Sequence, residues 1–182
     1  MTFQKPRDGL KMSKKVVVIS SSPRKGENSD TMCDEFVRGA RDAGNEAVKY
    51  FLEDIEFSSC KACYKCKTPE MKCFQQDQIS EILDKMMEAD VIVYATPVYY
   101  YEMCGTLKMF FDRCYPIFRH LEDKDYYIIL AAGSSCGDAL TGLRSFIGFS
   151  KNPTEKAVFE VFGNVKSQKD KLKNAYDAGF NC

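Results

Sequence analysis

Four thiols stand in one short run, "SSCKACYKCKTPEMKCFQQ": Cys60, Cys63, Cys66 and Cys73, spaced C-x2-C-x2-C-x6-C. Lysines and a proline separate them, and no apolar run carries them toward a core. Thiolates at compact spacing ligate metals, and the related C-x2-C-x2-C-x3-C run holds iron–sulfur clusters. Mononuclear zinc more often uses two separated cysteine pairs. Lys61, Lys65, Lys67 and Lys72 would offset the negative charge of thiolates and a cluster. A purely structural loop is the competing reading. Cys33 falls on the apolar face of a helix, and Cys104 and Cys114 also read as structural. His120 is the single histidine; it reads as a surface cation at a helix end, with no second histidine to complete a metal site.

Three further segments carry groups suited to holding a small molecule. "SSSPRKGENSD" offers hydroxyls from Ser21, Ser22 and Ser29, the Asn28 amide and the Arg24 cation, and it opens straight into a helical pattern. Helix N-termini favour anions through their free N–H groups and dipole. Neither the glycine-rich dinucleotide fingerprint nor the Walker sequence is present, which favours a lone phosphate over a pyrophosphate or triphosphate. The competing reading is a polar turn with a helix cap. "TPVYYYEMCG" places Tyr99, Tyr100 and Tyr101 directly after Pro97. Three adjacent tyrosines cannot all enter one core, so a flat ligand stacked on them, or a dimer contact, accounts for them. "AAGSSCGD" carries Gly133 and Gly137, where backbone can approach a ligand closely, or simply turn from strand to helix.

These segments are placed by the elements around them. "KVVVIS" from Lys15 to Ser20 is a short β-branched run, typical of a strand buried on both faces. A helical pattern follows through Met32, Cys33, Phe36, Val37, Ala40 and Ala43, with Gly44 as its terminator. "AVKYFLE" reads as a strand near an edge. "DQISEILDKMMEA" reads as a helix with Asp77 as N-cap, "DVIVYAT" as a buried strand, and "GTLKMFFDRCYPIFRHL" as a helix that Pro116 kinks or breaks. "YYIILAA", "GDALTGLRSFIG", "KAVFEVFG" and "KDKLKNAYDAG" complete a strict β-α alternation. That order predicts an α/β fold: a flavodoxin-like, doubly wound, five-stranded parallel sheet of order 2-1-3-4-5 with helices on both faces. Residues 1–13 form a polar N-terminal tail and residues 14–182 one domain.

In such sheets ligands bind outside the carboxyl ends of the strands, where the three segments meet. A phosphate at the first and a planar ring between the second and third describe a mononucleotide such as FMN. A response-regulator domain shares the topology, but needs acidic residues after the first strand, where "SSSP" stands.

Composition bounds the rest. Basic and acidic residues balance at 26 each, so no field of one sign attracts nucleic acid or an anionic membrane. No apolar run approaches the roughly 20 residues that span a bilayer. The opening segment has no apolar core of a secretory signal, and an odd count of nine cysteines fits reduced thiols in the cytoplasm better than a disulfide framework.

"SSSPRKGENS" and "EADVIVYATPVYYYEMCGTLKMFFDR" resemble the phosphate loop and the "AD-IV…SPVY…LK-F-DR" segment of the flavodoxin-like NADPH-dependent FMN reductase family. The cysteine loop resembles the compact motif of its iron–sulfur flavoprotein branch. The resemblance runs from about Lys14 to the last helix. It implies a homodimeric FMN protein with the phosphate on Ser22, Arg24, Asn28 and Ser29. It sets the flavin ring against Thr96, Pro97, Val98, Tyr99 and Tyr100, with Gly133 and Ser134 closing over it. It also implies electron transfer from NAD(P)H through FMN to a small-molecule or protein acceptor. The alternative is an electron carrier holding FMN and a [4Fe-4S] cluster on Cys60, Cys63, Cys66 and Cys73. A domain that has lost its cofactor and only dimerises is the third reading, and the intact polar loop opposes it. Two departures stand out: Ser21 replaces the usual first glycine, and Glu27 stands where glycine is common.

Overall fold

The computed structural model describes residues 13–70 and 72–182; residues 1–12 of the expected tail lie outside the described residues. Five strands pair in parallel: β1 (Lys15–Ser20), β2 (Glu46–Phe51), β3 (Val91–Tyr99), β5 (Asp125–Ala132) and β6 (Thr154–Phe162). Their spatial order is β2-β1-β3-β5-β6, the expected 2-1-3-4-5 once a short extra strand is set aside. That strand, β4 (Glu102–Met103), pairs antiparallel with the end of β3.

The period-2 alternation of the central strands sorts their side chains into two cores. Val16, Val18, Val91 and Val93 face α1 (Asn28–Asp42) and α5 (Lys169–Phe180), where Met32, Phe36 and Ala175 meet them. Val17, Ile19, Ile92 and Ile128 face the other way. There they meet α2 (Ile79–Glu88), α3 (Gly105–Arg113) and α4 (Ala139–Ile147), through Ile82, Met86, Leu107, Phe110 and Leu143. Cys33, Cys104 and Cys114 are all buried, as their apolar contexts predict. Gly44 ends α1 with φ +84°.

Two local features bear on the site, a broken helix as expected at Pro116 and an unexpected hairpin. The helix expected across Gly105 to Leu121 ends at Arg113, and a 3₁₀ turn (Phe118–His120) follows Pro116, whose ring and missing N–H end the ladder. The segment after β3 is a hairpin rather than an open loop, turning at Tyr100 (φ 49°) and Tyr101 (φ 67°).

Candidate functional site

All five parallel strands end at one edge, and a cleft of about 470 Å³ opens there, within the range of small-molecule sites. The loop after β1 builds one end. The buried Asp30 carboxylate shapes that loop: it accepts hydrogen bonds from Gly26 N–H (2.8 Å), Ser20 Oγ (2.7 Å) and Lys49 Nζ (2.9 Å). Burial alone would raise its pKa, but the bonds from Gly26, Lys49 and Ser20 hold it below the usual carboxylate value. Ser22 Oγ closes a tight turn, accepting from Arg24 N–H (3.1 Å) and donating to the Arg24 carbonyl (2.8 Å). Residue 27 caps α1 without any side-chain hydrogen bond. The first N–H groups of a helix lack intrahelical acceptors, and Asn28 and Ser29 at this end line the cleft beside Arg24. A cation, hydroxyls and a helix N-terminus converge, which is the donor set an anion such as phosphate requires.

The other end is apolar. Pro97, Val98 and Tyr99 from β3 face Ala131, Ala132 and Gly133 at the end of β5. These two strands are paired, with Pro97 opposite Ala131, so their carboxyl ends form one apolar wall of the cleft, suited to a planar ring.

Eight of the sequence-predicted residues thus line one cleft: Ser22, Arg24, Asn28, Ser29, Pro97, Val98, Tyr99 and Gly133. Three do not. Thr96 is buried, accepting from Cys104 N–H (3.0 Å) and donating to the Pro97 carbonyl (2.8 Å), so it fastens the hairpin. Tyr100 is 98% exposed at the hairpin tip. Ser134 is exposed beside the cleft without lining it. Asn28 lines the wall, but both ends of its amide are engaged: Nδ2 donates to the Gly163 carbonyl (2.6 Å) and Oδ1 accepts from Val165 N–H (3.0 Å).

That staple brings in a fourth segment. Gly163, Asn164 and Lys166, just past β6, also line the cleft, as does Glu27. The signal for them was present: "GN" follows a strand whose carboxyl end must open onto the same edge as its neighbours.

The cysteine loop lies elsewhere, between the 3₁₀ turn Leu52–Asp54 and α2. Cys60 and Cys63 are exposed, and Cys66 and Cys73 half-buried. Partial burial raises the Cys66 thiol, and the neighbouring charges of Cys73, Cys60 and Cys63 add to it. Among the described residues no three Cys, His, Asp or Glu side chains gather into a metal-holding group. The geometry does not fit a bound cluster as it stands. Below the loop, the buried Arg113 grips both of its ends. Nη1 and Nη2 pair with Asp77 at 2.7 and 2.8 Å, and Nη1 also donates to the Ser58 carbonyl (2.8 Å). Asp77, expected as an N-cap, still accepts from Ile79 N–H (3.2 Å). His120 is exposed.

An aromatic surface adjoins this loop. Phe111 and Phe146 stack face to face at 3.8 Å between centroids, and Tyr115, Phe118 and Phe149 extend it beside Cys60 and Cys66. No helix among the described residues is long and apolar enough to cross a membrane.

An iron–sulfur flavoprotein of Methanosarcina thermophila is 37% identical over 99 residues, covering 54% of this chain and 51% of the relative. Another, from Methanocaldococcus jannaschii, is 39% identical over 103 residues, covering 57% and 53%. The chain thus spans about half the length of these curated relatives. Among solved structures, an NAD(P)H:quinone oxidoreductase from Methanothermobacter marburgensis superposes with a TM-score of 0.70 at 18% identity, covering 93% of this chain and 96% of that one. That likeness concerns the fold. Residues 14–154 match the family described as NADPH-dependent FMN reductase, and the chain belongs to that family.

Proposed function

We propose that residues 14–182 form one FMN-binding unit that passes reducing equivalents from NAD(P)H to an electron acceptor. The observation that carries this reading is the single cleft joining an anion-holding end at Arg24, Ser22 and Ser29 to a flat apolar slot at Pro97, Val98 and Ala131. Bound FMN would supply the hydride and electron chemistry. The chain's own residues bind and orient: Arg24 and the start of α1 meet the phosphate, and the ring lies against the ends of β3 and β5. Tyr99, about half exposed, borders the face left for a nicotinamide ring. The slot needs no side-chain acid or base. The test is anaerobic mixing with NADPH and with NADH. Flavin absorbance should bleach within the usual enzyme range of about 1–1,000 per second. A flavin that neither nicotinamide reduces, but that a low-potential protein donor does, makes the protein a carrier instead.

The carrier reading has its own support: the C-x2-C-x2-C-x6-C spacing and the iron–sulfur flavoprotein relatives. It assigns a [4Fe-4S] cluster to Cys60, Cys63, Cys66 and Cys73, and it requires the loop to draw these thiols together. The balanced charge of 26 basic and 26 acidic residues favours the reductase, because dedicated carriers steer to partners with a strongly charged face. The aromatic surface with Tyr115 and Phe149 exposed suits a second copy of the chain, giving a homodimer that sedimentation would reveal. An odd count of nine cysteines suits a reducing cytoplasm.

A further inference from the structure

The geometry points to Lys166 as a phosphate-binding residue supplied from outside the three loops that hold the rest of the cofactor, with Asn28 as its positioning residue. This deepens the FMN reading and rests on it. Lys166 belongs to the 3₁₀ turn Val165–Ser167 that follows β6. The base of that turn is fixed. Val165 is buried, Asn164 Oδ1 accepts from Lys166 N–H (3.0 Å), and the Asn28 amide ties Gly163 and Val165 to the start of α1. The Lys166 side chain, by contrast, is 55% exposed and lines the cleft with Arg24.

Glu27 makes this cation necessary. It lines the same cleft, at the position that caps α1, where a carboxylate would repel an incoming phosphate. Lys166 Nζ lies 3.6 Å from Glu27 Oε1, within ion-pair range but beyond a good hydrogen bond. So loose a pair leaves the ammonium donors available. Lys166 offsets the acid while the cleft is open and turns to the phosphate when FMN enters. Asn28 holds the lysine in range instead of contacting the phosphate itself. An exposed lysine engaged only with Glu27 would contribute little and would leave FMN affinity unchanged once Glu27 is neutral.

The test titrates flavin-free full-length protein with FMN and with riboflavin at low salt. Lys166→Gln should weaken FMN roughly three- to ten-fold and leave riboflavin unchanged, and the effect should shrink at high salt. Lys166→Arg should retain FMN affinity. Glu27→Gln should tighten FMN, and Lys166→Gln should still weaken FMN in that background. Asn28→Ala should lower FMN affinity in the wild-type background and add nothing to Lys166→Gln. Loss of the Lys166→Gln effect in the Glu27→Gln background, or equal weakening of both flavins, overturns the phosphate contact. Wild-type protein that binds neither flavin overturns the FMN reading itself, and Lys166 with it.

Discussion

The Tyr101 carbonyl accepts hydrogen bonds from the N–H groups of Asp138 (2.7 Å) and Ala139 (2.9 Å), so the hairpin tip after β3 caps the start of α4. Gly137 makes this possible. It sits at φ +52°, and a Cβ there would lie 2.5 Å from Tyr101 Cβ and 2.6 Å from the Tyr101 oxygen. Gly137→Ala combines left-handed backbone strain with a clash against backbone, and should cost about 1–3 kcal/mol. Denaturant unfolding would measure it. FMN should weaken as well, because the hairpin carries Val98 and Tyr99 on the wall of the cleft. An unchanged midpoint would mean that the tip is not docked on α4.

Arg24 should separate FMN from its dephosphorylated form. In the proposed reading Arg24 meets the phosphate, and a hydrogen bond to a charged group contributes about 1.5–3 kcal/mol. Arg24→Ala should weaken FMN by roughly ten-fold or more and riboflavin hardly at all. Flavin fluorescence titration reads both. Equal weakening would place the phosphate elsewhere.

Asp30 should make stability sensitive to acid. Its carboxyl is held below the ordinary value by Gly26, Lys49 and Ser20 against the cost of burial. A depressed native pKa contributes stability that is present above the unfolded value and lost as pH falls through the native one. The loss should therefore begin near about pH 4 and continue below it. Asp30→Asn should lower stability at neutral pH and flatten that part of the curve. Urea melts from pH 7 to pH 2 would show both, and parallel curves for the two proteins would remove Asp30 from the acid response.

The fold was legible because strands such as "KVVVIS" and "DVIVYAT" are short and β-branched and alternate with helical patterns, and such alternation leaves few topologies. The cleft was largely legible for the same reason, since topology brings strand ends together. What stayed hidden was hidden for local reasons. The two-residue turn at Tyr100 and Tyr101 needs positive φ at both positions, a geometry that sequence normally signals with Asn or Gly; tyrosines gave no such sign. The resemblance set Thr96 against the ring and Asn28 on the phosphate, and the structure shows hydrogen bonds from the Cys104 and Val165 backbones to these two side chains. A side chain's partner across 137 positions of sequence is not written in its neighbours. Arg113 lay within a matched motif and gave no hint that it would be buried beneath the cysteine loop.

That arginine yields the last prediction. Arg113 is 1% exposed, and it bonds Ser58 on one side of the cysteine loop and Asp77 on the other. It also lies close enough to Cys73 to be influenced by it. Arg113→Ala removes one partner of a buried pair and strands the Asp77 carboxylate, so it should cost about 3–5 kcal/mol. Asp77→Asn keeps hydrogen-bonding groups in place and should cost less. Two further measurements ask what the clamp is for. Thiol labelling of the Asp77→Asn protein should show Cys66 and Cys73 reacting faster than in the wild type, because the charge that holds the Asp77 end of the loop to Arg113 is lost. Anaerobically purified wild type should carry about four irons per chain if the loop folds around one [4Fe-4S] cluster, and Cys66→Ser should remove most of that iron. Full flavin with no iron would assign the loop a structural role. Slower labelling together with retained iron in Asp77→Asn would show that the cysteines are organised without the Arg113 clamp.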